Sequence, residues 1–506
     1  SPGYAQGYQA IAEGGWVGIS ANPDHGGMGL PLTLATSVND MMSGACLSLQ
    51  LNPLMSQGQI EALEHHASDH IKDIYLPKLI SGEWSGTMNL TESQAGSDVG
   101  ALRAKAEPND DGSYAVSGQK IFISWGDNDF TENVCHLVLA RLPDGVAGTK
   151  GISLFMVPKL IPDTDGGLGE RNSLRVVSLE HKMGLHGSPT AVMEYDNAKG
   201  WLVGEKHAGM ATMFTMMNNA RLGVAVQGIG SAEAAYQHAL AYAQDRKQGR
   251  TPPQGDAAGG ATAGKGPILH HADVRRMLAA MRADTTAARS IALSCAVALD
   301  MGRATGDAAW QARGAFLTPI TKAFGTDTGI AVSEMGVQVH GGMGFIEETG
   351  AAQHWRDSRI APIYEGTNGI QAADLVTRKL ALDDGAALAT LTADIARDAQ
   401  DEPTLAALAA DCNTVAKWMR ADASVDDSLA GSVPFCTMLA VAVAGWQLLR
   451  QLRAIQNGAA PELAATKAAS VRFFLDRIVP EARGLPAAAT AGAESLYTLT
   501  AEQLAG

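Results

Sequence analysis

The spacing of apolar and polar residues divides the chain into four stretches. Residues 1 to about 82 show helical periodicity interrupted by Gly/Pro loops such as Pro23–Leu30. From Ser85 to about Glu205, short runs rich in β-forming residues alternate with turn clusters. Long helical patterns return from Ala208, and an Ala/Leu-rich amphipathic block follows from about residue 385. We therefore expect four domains, at 1–82, 83–205, 206–384 and 385–506.

The second stretch predicts a small antiparallel β-domain. Asn109–Gly112 and Asp163–Gly169 supply its turn clusters. The predicted strands are Tyr114–Ser117, Lys120–Ser124, Val134–Ala140, Ile152–Val157, Arg175–Leu179 and Thr190–Tyr195.

The remaining stretches predict long helices. In the third they cover 208–248, 268–302, 306–335 and 368–382, and in the fourth 386–400, 403–420, 433–453 and 461–483. The Gly/Pro/Ala-rich segment 251–267 reads as a flexible insertion.

Composition narrows the classes of function. The 506 residues are 46% hydrophobic and carry a formal net charge of −15, which argues against a surface for nucleic acid or anionic membrane. An anionic cofactor would need a few placed Arg residues, backbone N–H groups and helix N-termini. The five cysteines form no C-x-x-C pair, which predicts a reducing cytoplasm and no metal site.

The start of the chain and its most apolar run are the candidate places for a secretory signal and a membrane span. The chain opens Ser-Pro-Gly without a secretory signal, so we expect that it begins inside a domain. The apolar run Met438–Leu449 is short for a membrane span and predicts a core helix.

The strongest candidate for chemistry lies between Trp355 and Gln371. Glu365 falls in a short loop, and Gly366 beside it allows a ligand to approach the backbone closely. Thr367 and Asn368 are suitable N-cap residues for the helix that follows. A carboxylate on such a turn is easily aimed into a cleft, although on position alone a solvated first-turn Glu is more frequent.

Two motifs in the β-domain could contact a polar ligand. Met88–Gly100 carries hydroxyls and small residues, which fit a loop wrapped around a ligand, although composition alone favours an ordinary turn. In Gly118–Gly126, strand alternation places Phe122 and Ser124 on one face and Ile121 and Ile123 on the other. Phe122 could alternatively be a core residue.

Three further motifs lie in the third stretch. Asn218–Leu222 sits in a Met-rich helix, and such Met residues are usually core. Asp245–Arg250 precedes the insertion. Gln338–Phe345 contains glycines that permit backbone approach to a diphosphate, or simply cap a helix.

Taken together, these motifs resemble those of the acyl-CoA dehydrogenase family. Tyr-Glu-Gly-Thr-x-x-Ile-Gln, Thr-Glu-x-x-Ala-Gly-Ser-Asp and Gln-Val-x-Gly-Gly-x-Gly occur in the family's order, and the resemblance covers about three quarters of the chain. The chain departs from the family at Ser93, where Pro is usual, and after Arg246, where Phe-Gly is missing. Ala220 occupies the place where some branches carry the catalytic Glu, which leaves Glu365 as the base.

The resemblance implies a mainly α fold: an N-terminal helical domain, a middle antiparallel β-barrel-like domain, and a C-terminal four-helix bundle with an extra helical domain. It implies FAD as the cofactor and Glu365 as the catalytic residue. The implied cofactor-binding residues are Met88, Leu90, Thr91, Ser97, Phe122, Ser124, Arg246, Gln338, Gly341, Gly342, Thr367 and Gly369. The implied substrate-binding residues are Ser97, Asn218, Arg221 and Gly366.

The implied reaction is α,β-dehydrogenation of an acyl-CoA thioester, in which Glu365 takes the α-proton and flavin N5 receives a hydride. The backbone N–H of Glu365 and a ribityl hydroxyl of FAD would bind the thioester oxygen. The implied partners are electron-transfer flavoprotein and further copies of the chain, as a homodimer or dimer of dimers. The last stretch, residues 385–506, forms a C-terminal extension that resembles that of a long bacterial branch of the family. This branch includes enzymes that act on 3-methylthiopropionyl-CoA in dimethylsulfoniopropionate degradation.

Three alternatives stay open. The substrate could be an ordinary fatty acyl-CoA, the enzyme could be an acyl-CoA oxidase that reduces oxygen directly, or the chain could bind flavin without turnover. An intact Glu365 argues against the last.

Overall fold

The computed structural model describes residues 2–163, 166–250 and 266–506, apart from the side chain of Asn218. The predicted flexible insertion at 251–267 lies outside the described residues except for Gly266 and Pro267. The chain forms two compact units, Ser1–Gly223 and Val224–Gly506, and one long helix contributes residues to both.

The first unit opens with three helices. They are α1 Tyr4–Glu13, α2 Leu32–His66 and α3 Asp69–Ser81. The side chain of Ser68 caps the first turn of α3, and Gly82 ends that helix with a left-handed backbone, φ 80°. The long α2 bends at Cys46, whose φ of −160° is not helical.

The described residues of the same unit then form nine strands. They are β1 Trp84–Asn89, β2 Lys105–Pro108, β3 Tyr114–Ser124, β4 Asn133–Arg141, β5 Ile152–Pro158, β6 Leu160–Pro162, β7 Leu168–Arg171, β8 Leu174–Leu179 and β9 Thr190–Val203. The main sheet has the order β1-β4-β2-β3-β9-β5, with β8 beside β9. Because β4 also pairs with β5, the sheet closes on itself, as a barrel does.

The predicted barrel-like domain is confirmed, but the sheet is mixed rather than wholly antiparallel. β1 runs parallel to β4, from Trp84 opposite Asn133 to Asn89 opposite Val138, and β2 meets β4 in parallel at Lys105 and Arg141. Parallel neighbours need a long connection, and the stretch from residue 90 to 132, which includes β2 and β3, provides it.

Long helices dominate the rest of the chain, as predicted. Those before the extension are α4 Gly209–Asp245, α5 Ala272–Thr305, α6 Ala308–His340, α7 Ala351–Ser358 and α8 Asn368–Thr377. Those of the extension are α9 Ala386–Asp398, α10 Pro403–Ala421, α11 Val425–Ala430, α12 Ser432–Gln456, α13 Ala464–Phe473, α14 Val479–Ala482, α15 Pro486–Ala489, α16 Glu494–Tyr497 and α17 Ala501–Leu504. The single helix predicted at 461–483 is divided, because a π-turn at Phe474–Ile478 separates α13 from α14.

The helix α12 is the core of the extension. By length and composition it could cross a membrane, the one such helix among the described residues, yet 83% of its most apolar stretch is buried inside the protein. It packs against α5, α6 and α8. Two amides on α12 also reach α5, since Gln447 Nε2 lies 3.2 Å from Ser294 Oγ and Gln451 Nε2 lies 2.7 Å from Ser290 Oγ. The extension and the Glu365 loop therefore belong to one compact unit.

Candidate active site

Glu365 lies in the loop between α7 and α8 and has an unusual backbone. Its φ is +56°, in the left-handed region that side-chain-bearing residues rarely adopt, and Gly366 follows at +83°. A left-handed conformation at a non-glycine residue costs roughly 1–2 kcal/mol, so surrounding contacts must impose it. Backbone strain of this kind clusters at functional sites.

The Glu365 loop is held at both ends by side chains of the helical bundle. Before Glu365, the hydroxyl of Tyr364 donates to the buried amide oxygen of Gln227 on α4. After it, Lys322 Nζ on α6 donates to the carbonyl oxygen of Gly366 at 2.8 Å. Burial, with the charge of Glu365, raises the pKa of Tyr364 well above its usual value, so the phenol stays neutral.

The start of α8 matches the predicted capping. Thr367 is the N-cap, and its hydroxyl accepts from the N–H of Ile370 at 3.1 Å. The Asn368 side chain donates instead to Asp327 Oδ1 at 2.7 Å. Gly369 is exposed in the first turn. Gln371, fully buried, donates to the Gly366 carbonyl oxygen at 3.3 Å.

In the first unit, the two predicted flavin-contacting segments are neighbours. Met88 lies on β1, while Leu90 and Thr91 follow its end, and all three are half-buried. The N–H of Ile121 on β3 donates to the Thr91 carbonyl oxygen at 2.9 Å. Thr87 Oγ1 donates to the carbonyl oxygen of Ser124, at the end of β3, at 2.7 Å. The sequence motifs of 88–91 and 122–124 therefore form one surface.

A buried ion pair holds that surface together, and the sequence argument missed it. Lys120 Nζ on β3 lies 2.8 Å from Glu92 Oε1 and also donates to the Leu90 carbonyl oxygen at 3.0 Å. Glu92 further accepts from the N–H groups of Arg103 and Ala104 at 2.7 and 2.9 Å. Burial alone would raise the pKa of Glu92, but Lys120 and these N–H groups bring it below its usual value. Glu92 lies in the motif Met88–Gly100 and Lys120 in the motif Gly118–Gly126, so the sequence did indicate both residues, although not their pairing.

Phe122 is exposed and sits on a β-bulge. Lys120 pairs with Met193 and Ile123 with Ala191, so Ile121 and Phe122 together stand opposite the one residue between them. Phe122 has a left-handed backbone, φ 60°, and its side chain is 59% exposed. The alternative that Phe122 is a core residue is therefore wrong. An exposed ring beside Ser124 and Thr91 is a fitting surface for a flat cofactor.

The other predicted site residues of the first unit belong to different segments of the chain. Ser97 is exposed in the loop after Ala95. Arg221 is buried on α4, with its guanidinium 5.9 Å from the ring of Phe214. The side chain of Asn218 lies outside the part of the chain that the structure describes.

Several predicted cofactor-binding residues share one end of the bundle in the second unit. Arg246 follows α4, Gln338 lies near the end of α6, and both side chains are exposed. Tyr242 stacks on His340 with 4.4 Å between ring centroids, which brings the two helix ends together.

The glycines at the end of α6 leave open space in which a ligand could approach the backbone. Gly341 caps α6 with φ 61°, and a Cβ added at Gly341 or Gly342 would meet nothing within 4 Å. Gly344 differs, since its added Cβ would lie 2.2 Å from the carbonyl oxygen of Val337. Gly344 is needed for packing, whereas Gly342 has no such reason and leaves an open surface.

The candidate residues thus form separate groups within each unit. Met88, Leu90, Thr91, Phe122 and Ser124 form one surface of the first unit. In the second, Glu365, Gly366 and Thr367 form the strained loop, while the group around Gly341 lies at one end of α4 and α6. Within the described ranges, no group of His, Cys, Asp or Glu side chains is arranged to hold a metal ion.

Four family models match the chain. The N-terminal domain of acyl-CoA dehydrogenases matches residues 4–83, the middle domain 87–198 and the C-terminal domain 207–380. A model described as acetyl-CoA dehydrogenase C-terminal like matches residues 387–500.

Similar proteins give the same family. The 3-methylmercaptopropionyl-CoA dehydrogenase of Ruegeria pomeroyi is 45% identical over 98% of this chain and 87% of its own length. A butyryl-CoA dehydrogenase of Syntrophomonas wolfei is 38% identical over 70% of the chain, which spans 60% of that relative. An acyl-CoA dehydrogenase of Bacillus anthracis, solved in complex with FAD, shares the fold with a TM-score of 0.76 at 21% identity, over 96% of this chain and 82% of that one. The chain belongs to the acyl-CoA dehydrogenase family.

Proposed function

We propose that this chain is an FAD-dependent acyl-CoA dehydrogenase in which Glu365 removes the α-proton of the substrate. The observation that carries the assignment is the left-handed backbone of Glu365, in a loop held by Tyr364 and Lys322 on either side. A solvated first-turn Glu has no reason to adopt a costly conformation. A base that must meet one carbon atom has such a reason.

The weak acidity of the substrate determines what the residues of this chain must supply. An α-C–H beside a thioester is a weak acid, so a general base and donors at the thioester oxygen are both required. Glu365 supplies the base and its backbone N–H one donor. FAD, when bound, supplies the acceptor for the hydride from the β-carbon. Substrate bound against Glu365 would exclude water from the carboxylate, which favours the neutral carboxyl and makes Glu365 a stronger base.

The binding roles are assigned to the residues described above. The surface of Met88, Leu90, Thr91, Phe122 and Ser124 would hold the flavin ring. Further cofactor contacts are assigned to Ser97, Arg246, Gln338, Gly341, Gly342, Thr367 and Gly369. Contacts to the acyl-CoA are assigned to Ser97, Asn218, Arg221 and Gly366.

The proposed substrate is 3-methylthiopropionyl-CoA. The similarity to the Ruegeria pomeroyi enzyme supports this choice, because at 45% identity it covers 98% of this chain and so includes the C-terminal extension. An ordinary fatty acyl-CoA is the second candidate, since a butyryl-CoA dehydrogenase is 38% identical over 70% of the chain. Flavin bleaching with 3-methylthiopropionyl-, butyryl- and palmitoyl-CoA separates them, and faster bleaching with palmitoyl-CoA would reject the proposed substrate.

The Glu365→Gln variant tests the base. The amide keeps the size of the side chain but cannot accept the α-proton, and a general base commonly contributes about 10²–10⁴-fold. We expect the variant to bind FAD and acyl-CoA normally and to reduce its flavin at least about 100-fold more slowly in stopped-flow absorbance. Bleaching at the normal rate would reject Glu365 as the base.

The wider setting is proposed on the same basis. Electrons would pass to electron-transfer flavoprotein, and peroxide release during turnover would instead identify an acyl-CoA oxidase. The chain would act in the cytoplasm as a homodimer or dimer of dimers, built from domains 1–82, 83–205, 206–384 and 385–506. Light scattering of the purified protein tests the oligomeric state.

A further inference from the structure

A buried lysine lies directly behind the Glu365 loop. Lys322 on α6 has no exposed surface, and its ammonium donates to two acceptors of the loop. One is the carbonyl oxygen of Gly366 at 2.8 Å, and the other is Asn368 Oδ1 at 3.0 Å. An ammonium group taken out of water is costly unless it is hydrogen-bonded, so these two bonds bear on the stability of the loop conformation.

The second acceptor is itself fixed. Asn368 Nδ2 donates to Asp327 Oδ1 at 2.7 Å and to Thr326 Oγ1 at 3.0 Å. The Thr326 hydroxyl in turn donates to the Lys322 carbonyl oxygen at 2.8 Å. Side chains on one face of α6 therefore fix Asn368, the first residue of α8, through a connected set of hydrogen bonds.

We propose that Lys322 is a positioning residue that holds Glu365 in its strained, productive conformation. This inference rests on the proposed function, in which Glu365 is the base. The bonds from Lys322 stabilise the left-handed residues of the loop, because one reaches the residue next to Glu365 and the other reaches Asn368, three residues after it.

The geometry explains how a group that does not touch substrate affects the reaction. The C=O and N–H of a trans peptide unit point in opposite directions. With the Gly366 carbonyl oxygen held against Lys322, the adjoining N–H of Thr367 points away from α6, and the plane of that peptide is fixed. Without the ammonium, Glu365 can relax towards an ordinary backbone, and its carboxylate leaves the direction in which the base must act.

The test compares Lys322→Met with Lys467→Met, which removes a half-buried lysine of the same unit on α13. Misplacement of a reacting group by about 1 Å costs on the order of 100-fold in rate, so flavin reduction by acyl-CoA should slow about 100-fold in Lys322→Met. FAD content, reduction by dithionite and the dissociation constant for acyl-CoA should change little. Lys467→Met should behave as the wild type does.

Amide hydrogen exchange provides a readout that does not depend on turnover. Exchange in residues 363–370 should be faster in Lys322→Met than in the wild type and unchanged in Lys467→Met. Asn368→Ala, which keeps Lys322 but removes its second acceptor, should move both readouts in the same direction and keeps the test open if Lys322→Met does not fold.

The outcomes separate this inference from the proposed function. Wild-type rates of flavin reduction and unchanged exchange in Lys322→Met and Asn368→Ala would overturn the positioning role while Glu365 remains the base. A wild-type enzyme whose flavin no acyl-CoA bleaches, with Glu365→Gln indistinguishable from it, would reject the proposed function. In that case the exchange data still decide whether Lys322 holds the loop.

Discussion

Two residues of the candidate site have a backbone that their side chains disfavour. Glu365 has φ 56° and Phe122 has φ 60°. In each case the strain directs a side chain: a carboxylate from the loop before α8, and an exposed ring from a bulge in β3. Neighbouring elements hold these conformations in place. Lys322 does so for Glu365, and the pairing of β3 with β9 does so for Phe122.

The cost of the Glu365 conformation can be measured directly. Glu365→Gly removes the left-handed penalty, so we expect the free energy of unfolding to rise by about 1 kcal/mol, as judged by urea denaturation, while flavin reduction is lost. Glu365→Gln keeps the strained backbone and is the matched control, with unchanged stability expected. A less stable Glu365→Gly would mean that the contacts of the glutamate side chain outweigh the strain.

The sequence predicts where the carboxylate lies, but not its backbone. Gly366 and Thr367 indicated a loop followed by a helix N-cap, and the structure has both. The left-handed conformation depends on Lys322, which is 44 residues away from Gly366 in sequence, so no local pattern could reveal it. Glu92 and Lys120 escaped notice for the same reason, since their pairing spans 28 residues.

At the scale of elements, three histidines join α4, α6 and α7. The ring centroids of His238 and His340 are 4.6 Å apart, and those of His238 and His354 are 5.7 Å apart. Burial, with the neighbouring His238 and His340, lowers the pKa of His354 to about 4. Burial, with His340, also lowers the pKa of His238. His238 and His354 therefore favour the neutral imidazole at neutral pH.

This packing predicts loss of stability in acid. An unfolded histidine titrates near pH 6.5, above the folded value for His354, so the unfolded chain binds more protons between pH 6.5 and 4 and stability falls as the pH falls through that window. His354 should contribute about 3 kcal/mol to the fall. Denaturation of His354→Gln at several pH values should show a correspondingly shallower dependence.

A second buried histidine, His136, also affects how stability depends on pH. His136 in β4 is fully buried, and burial lowers its pKa to about 3, so it contributes with the same sign. The variant should therefore retain part of the acid sensitivity. A pH dependence identical to that of the wild type would show that His354 does not titrate in this window.

Strands made of apolar and β-branched residues were easier to predict than a buried strand made of small and polar residues. Val134–Ala140 was predicted and lies within β4. Trp84–Asn89 was missed, because β1 is buried at five of its six positions and its residues Ser, Gly, Thr and Asn carry no apolar alternation. Direction is a matter of which strands meet in space, so the parallel pairing of β1 with β4 could not be read from spacing.

At the scale of the molecule, the extension and the bundle form one compact unit. Val224–Gly506 contains both, and Arg313 of α6 is ion-paired with Asp394 of α9 at 2.8 Å. The sequence predicted the succession of helices, strands and helices and the extension itself. It could not predict that α12 would pack against α8, the helix that begins beside Glu365, since that contact depends on which apolar faces meet.

The shared core predicts shared stability. Leu448 on α12 is fully buried, and Leu448→Ala should reduce the free energy of unfolding by about 2–5 kcal/mol. Because the unit is compact, amide exchange should accelerate in α5 and α8 as well as in α12. Exchange that rises in the extension alone would indicate that the extension unfolds independently. Val425→Ala, at a residue that is 69% exposed, is the control, with little change expected.

The bulge in β3 has a consequence for insertions and deletions. Removing Ile121 would leave Lys120 opposite Met193 and Ile123 opposite Ala191, with Phe122 as the single residue between them in an ordinary extended backbone. The ladder would become regular between Lys120 and Ser124, so we expect a screen for expression or heat resistance to accept the shortened chain. The aromatic ring would lose its outward tilt, and the hydrogen bond from residue 121 to Thr91 would go with it. The proposed cofactor contact of Phe122 would therefore depend on the number of residues in this part of β3 as well as on their identity.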